Sequence, residues 1–210
     1  MANKNYISDE LLAAYLEGDV NEKEMAQVLQ AAETDAELRE ALHIALQLDE
    51  AELPLQMAAE GGRNLCEVQC EAYVLKRCGI DCSVEELLEL SKENHWIKRA
   101  GTPLQYMGNL LEHKGLKVNR KYEATIEDIS GSLERGDNVI VAVDSDKLYP
   151  ERPDEEDATN HAIVVIGIDS SNVTIYDPGD YAEVDIKMSL FLYAWKESHC
   201  YMVCATAATE

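Results

Sequence analysis

Basic side chains are scarce in this sequence. It holds 18 Lys and Arg against 41 Asp and Glu in 210 residues, a formal net charge of −23. That imbalance disfavours nucleic acid and anionic lipid as partners, because their phosphates repel such a surface. Long apolar runs are missing as well. The longest uncharged apolar stretch, Ala162 to Ile168, falls far short of the ~20 residues of a membrane span. The opening residues, Met1 to Tyr6, contain no apolar core of a secretion signal, so a cytoplasmic location is expected. The first 50 residues lack cysteine, and no internal repeat is visible. What is present excludes disorder: hydrophobic residues make up 46% of the chain. The length suits one domain with an appendage, or two small domains.

Six cysteines fall in three i, i+4 pairs: Cys66 with Cys70, Cys78 with Cys82, and Cys200 with Cys204. In a reducing compartment free thiols are expected rather than a disulfide framework. Cys-x-x-x-Cys spacing is admissible for structural zinc. The pairs sit among apolar residues such as Tyr73, Val74, Met202 and Val203, where Cys serves as a small hydrophobe. Neither metal nor cofactor is expected.

Residues 1–50 read as a helical module. Ser8 caps a first helix carrying Leu11, Leu12, Tyr15 and Leu16. Asn21 and Glu24 form a capping box for a second, with Met25, Val28, Leu29 and Ala32 in its stripe. Thr34 with Glu37 is expected to open a third. Residues 1–60 hold 3 basic and 14 acidic side chains, a net of −11, which suits a basic protein partner. The stretch Ile7 to Gly18 resembles the cytoplasmic N-terminal region of anti-sigma factors. Those often carry a His/Cys zinc set. Here only His43 is present, which excludes a zinc version. The alternative is a plain amphipathic appendage.

After a break at Pro54 and Gly61-Gly62, helical spacing resumes from Cys66 to Cys78 and stops at Gly79. Ser83 caps a further helix, and Thr102-Pro103 is expected to open another, with Leu104, Met107, Leu110 and Leu111 inward. The period then changes. Val139 to Val143, Ala162 to Ile168, Val173 to Tyr176 and Tyr201 to Cys204 read as strands. Helices first and strands after indicate α+β with an antiparallel sheet. The expected organisation is a helical module over 1–50 and a second domain over 51–210.

Cys66 opens its helix, where unpaired N–H groups and the dipole stabilise a thiolate and can hold an oxyanion. A buried structural Cys is the alternative. His161 begins a strand next to the acidic loop Asp154 to Asp157, and Asp177 ends the following strand. Both fall near the open end of one hairpin. They share a face only if the loop gives an even register, as three or five residues do; two or four would separate them. A thiol, an imidazole and an orienting carboxylate make a nucleophile–base–orienter set. The alternatives are a loop-edge His and a turn-forming Asp before Pro178-Gly179.

Four blocks carry a resemblance: Cys66 to Leu75, Gly79 to Leu87, Gly101 to Leu104 with Leu110 and Gly115 to Val118, and His161 to Ile168 with Val173 to Gly179. In order and content they resemble the papain-like bacteriocin-processing peptidases, which remove double-glycine leaders, and their stand-alone relatives. The resemblance implies a papain-like fold over about residues 60–180, with Cys66 as nucleophile, His161 as general base and Asp177 as orienter. Two positions depart from the family pattern. Glu67 replaces the Gly after the nucleophile, placing a charge beside the thiol, and Glu60 replaces the oxyanion Gln six residues before it. Gln56 and Asn64 are the substitute donors within reach in sequence. Losing one such donor costs ~10²–10³ in rate. The expected function is a cysteine peptidase acting on a peptide or leader segment. The alternatives are a catalytically impaired peptide-binding member of the same fold, and a regulatory protein acting through its acidic N-terminal helices.

Overall fold

The computed structural model describes residues 7–17, 20–42, 63–98, 101–151, 160–180 and 182–207. The first helices follow their caps. Ser8 Oγ accepts the Leu11 N–H ahead of α1 (Asp9–Glu17), and Asn21 and Glu24 complete a capping box on α2 (Glu22–Thr34). The third helix, α3, described over 36–42, starts one residue later than expected. Asp35 both ends α2, through its N–H to Ala31 C=O, and caps α3 by accepting the N–H groups of Glu37 and Leu38. Its carboxylate offers a stronger acceptor than the Thr34 hydroxyl.

Helix α4 (Cys66–Arg77) ends in a Schellman turn. Gly79 stands at φ 77°, with Gly79 N–H on Lys76 C=O and Ile80 N–H on Leu75 C=O. Helix α5 (Val84–Glu93) opens with the Ser83–Glu86 capping box. The helix expected from Thr102-Pro103 is broken in two. A 3₁₀ turn, Leu104–Tyr106, is followed by Gly108 at φ 87° and then α6 (Asn109–His113). Gly108 lies so close to the sheet that a Cβ there would meet Val203 Cγ1 at 2.8 Å and Val118 Cγ1 at 2.9 Å.

Six strands form one antiparallel sheet in the order β1-β6-β2-β3-β4-β5. They are β1 (Lys117–Lys121), β2 (Asn138–Asp144), β3 (Asn160–Ile168), β4 (Asn172–Asp177), β5 (Ala182–Lys187) and β6 (Met202–Thr206). Three further helices, α7 (Ile126–Glu134), α8 (Ser145–Leu148) and α9 (Met188–Trp195), interleave with the strands, so the order is less segregated than the sequence pattern suggested. Strand alternation divides the core. Ile140, Ala142, Ala162, Val164 and Val203 face α4, α5 and α6. Val139, Val141, Val143, Ile163, Val165 and Ile175 face α7 and α9, where Ile129, Phe191 and Trp195 are buried. Helices therefore cover both faces. No helix among the described residues is long and apolar enough to cross a membrane.

Candidate active site

The hairpin of β3 and β4 places the first pair of candidate groups. Ile168 pairs with Val173, closing a four-residue connection, a register that by itself puts His161 and Asp177 on opposite faces. A β-bulge between Val165 and Gly167 inserts one residue into β3, so the ladder resumes at Val165↔Ile175 and Val164↔Tyr176. The extra residue reverses the alternation, and His161 and Asp177 share a face. His161 Nε2 stands 2.9 Å from Asp177 Oδ1.

Cys66 arrives from α4, which packs on β3. The β3–β4 ladder ends at Val164↔Tyr176, and the tip of α4 sits beside the strand end beyond it. There the Ala162 N–H points at Cys66 Sγ, 3.4 Å away, while the Cys70 thiol, one turn on, donates to Ala162 C=O at 3.3 Å. Further along α4, Tyr73 stacks on Tyr176 of β4 with ring centroids 3.9 Å apart. These contacts fix the height of Cys66 against His161 and bring the thiol near enough to raise the imidazole.

Asp177 is buried and accepts three donors. Besides His161, the Tyr149 hydroxyl donates to Oδ2 at 2.5 Å and the Gly179 N–H to Oδ1 at 2.8 Å. Burial pushes this carboxyl upward, but the bonds from His161, Tyr149 and Gly179 outweigh it and hold it below its ordinary value. Burial would also lower His161. The hydrogen bond and charge of Asp177, with Cys66 on the other side, instead push the imidazole up to about 10. The arrangement can therefore hold an imidazolium against a buried carboxylate. The turn-forming alternative for Asp177 holds at the same time, since its bond to Gly179 N–H is an Asx turn.

The charge expected beside the thiol is absent from that place. Glu67 points into the interior, where Gly108 N–H approaches its Oε1 at 3.3 Å. Glu71 accepts the same N–H at 2.9 Å and that of Leu111 at 2.6 Å, so the pair caps the start of α6. Burial pushes both carboxyls up, and in Glu71 the neighbouring Glu67 adds to it. Asn64 lies in the 3₁₀ turn Arg63–Leu65 leading into α4, with its C=O against Gly101. Gln56, Glu60, His43, Gly61-Gly62 and the acidic loop Asp154 to Asp157 lie outside the described residues.

Sequence reasoning missed Tyr149, Glu71 and the Ala162 N–H. Tyr149 follows the four-residue α8 and precedes a proline, and no local pattern marks it as a partner of a residue 28 positions away.

The sequence model of the Peptidase_C39 like family matches residues 46–203, and the chain belongs to that family of peptidases. Among solved structures, a C39-like peptidase from Bacillus anthracis superposes with a TM-score of 0.50 at 18% identity, covering 70% of this chain and 90% of that one. The peptidase domain of Streptococcus ComA, a bifunctional ABC transporter involved in a quorum-sensing pathway, superposes with a TM-score of 0.53 at 19% identity. It covers 70% of this chain and 93% of that domain. The fold is thus the papain-like α+β fold. No curated protein matches the chain.

Proposed function

We propose that the chain is a cysteine peptidase that hydrolyses a peptide or leader segment, with Cys66 as nucleophile, His161 as general base and acid, and Asp177 as orienter. The observation that carries this reading is one imidazole hydrogen-bonded to a buried carboxylate, at 2.9 Å, on a strand whose next residue, Ala162, points its N–H at the thiol at the start of α4, 3.4 Å away. The thiolate attacks the scissile carbonyl carbon, and the imidazolium then passes its proton to the departing amine. Water, deprotonated by the now neutral His161, releases the acyl group from sulfur. Gln56 and Asn64 are the proposed oxyanion donors. No metal or cofactor takes part.

Neutral-pH alkylation with iodoacetamide tests the thiol. Cys66 is expected to label faster than the other five cysteines, and Cys66→Ala to abolish turnover in a peptide library. Equal labelling of all six thiols counts against a nucleophile. A second reading rests on Glu60, a carboxylate where the family has its oxyanion amide: a peptide-binding member without turnover. Saturable peptide binding with no cleavage would favour it. We further assign residues 1–50 to a helical module and 51–210 to the peptidase domain, in a cytoplasmic protein. The acid surplus of the module suits a basic protein partner, and loss of that partner on deleting residues 1–50 is the matching test.

A further inference from the structure

We propose that Tyr149 is a positioning residue, whose hydroxyl keeps Asp177 ionised and turned so that Oδ1 faces His161 Nε2. Its consequence for catalysis rests on the peptidase reading, whereas its geometry does not. Tyr149 stands just beyond α8, and three contacts fix it there. Asp144 caps α8 by accepting the Lys147 N–H at 2.9 Å, Leu148 is buried against the sheet, and Tyr149 N–H bonds Ser145 C=O at 2.8 Å. The ring packs on the second core cluster, and its hydroxyl reaches Asp177 Oδ2 at 2.5 Å.

Oδ1 already serves His161 and the Gly179 N–H. Oδ2 is the oxygen that a rotation about the carboxyl bond would exchange with it. A short O–H···O⁻ bond on that oxygen opposes the rotation, and it also compensates burial of the charge. Among the described residues, the titratable groups facing Asp177 are His161 on β3, Tyr149 beyond α8 and the Cys70 thiol on α4. Among them only Tyr149 donates an O–H bond that phenylalanine removes without changing the ring.

The experiment is Tyr149→Phe in the full chain, read by carboxyl-carbon and imidazole NMR titration. The Asp177 midpoint is expected to move up by about one pH unit, the loss of one charge-assisted hydrogen bond. The His161 titration should change in Tyr149→Phe and show no further change when the substitution is added to Asp177→Asn. An unmoved Asp177 midpoint, or an equal effect on His161 with and without Asp177, overturns the inference. Where peptide turnover is measured, kcat should fall with KM unchanged. A shifted midpoint in a chain that cleaves no peptide would sink the peptidase reading and leave Tyr149 standing. Turnover with an unshifted midpoint would do the reverse.

Discussion

Glu67 and Glu71 sit one helical turn apart on α4, both buried and both accepting the Gly108 N–H, an arrangement that favours one proton shared between them. Glu71 accepts backbone N–H bonds on both oxygens, from Gly108 and from Leu111, whereas Glu67 takes only the longer bond from Gly108. The two are therefore unequal. In Glu67→Gln the amide can donate to Glu71 where the shared proton did. In Glu71→Gln the amide NH₂ must face one of two N–H donors, whichever way it turns. Glu71→Gln is expected to lose about 1–3 kcal/mol at every pH, and Glu67→Gln much less. Both carboxyls are raised in the fold, so their contribution is complete below the ordinary carboxylate range and fades as pH climbs through the folded-state values. Urea unfolding from mildly acidic to mildly alkaline pH should show the wild type weakening on the alkaline side and Glu67→Gln weakening less; parallel curves would contradict a shared proton. His161 obeys the same sign. Raised to about 10, it adds stability that is complete below its ordinary value of ~6.5 and is lost as pH rises toward 10. Imidazole NMR should find it protonated through neutrality, with Asp177→Asn and Cys66→Ala each lowering its midpoint.

Among the elements, Gly108 bears on the site most directly, because it sets how closely the α4–α6 layer approaches β1 and β6. Gly136 offers a control. It too has a positive φ, 82°, but open space where a Cβ would stand, whereas Gly108 faces Val203 and Val118. Gly136→Ala should cost about 1–2 kcal/mol for the backbone alone. Gly108→Ala should cost about 1–3 kcal/mol more for the clash, measured by urea denaturation. Equal costs would mean the layers part freely at that point. The elements that were legible beforehand owe it to strong local chemistry. Asn21 with Glu24 and Ser83 with Glu86 announce their helices, and the apolar runs of β2, β3 and β4 announce theirs. The rest lacked such signals. β1 reads Lys-Val-Asn-Arg-Lys and β5 Ala-Glu-Val-Asp-Ile-Lys, edge strands with one half-buried face, and α9 carries no capping side chain. The candidate triad residues were visible as residue types in a family order. Their shared face depends on the bulge in β3, whose one local signal, Gly167 inside an apolar run, marks a bulge-prone site without fixing the register.

On the scale of the molecule, the candidate site has no element of its own. Cys66 belongs to α4, His161 and Asp177 to neighbouring strands, and Tyr149 to the connection after β2. What brings α4 to the sheet is the apolar cluster of Val68, Val74, Leu75, Ala162 and Val164, and what backs the sheet is Phe191 and Trp195 on α9. The N-terminal helices bury Val20, Val28 and Ala31, and burial together with nearby Tyr106 pushes the Tyr15 hydroxyl above its ordinary range, so α1 comes close to the peptidase fold. A chain with a net charge of −23 also repels itself, and salt near ~0.15 M, with a Debye length of ~8 Å, screens part of that repulsion. Moderate salt should therefore raise the urea midpoint, and lowering the ionic strength should reduce it. Because the thiol–imidazole contact depends on the same packing that holds the sheet, preferential alkylation of Cys66 should survive urea until the global transition and vanish with it, tracking tryptophan fluorescence from the buried Trp195. If selectivity disappears well before the fluorescence changes, α4 separates from β3 locally, and the site would be the least stable part of the fold rather than a product of its core.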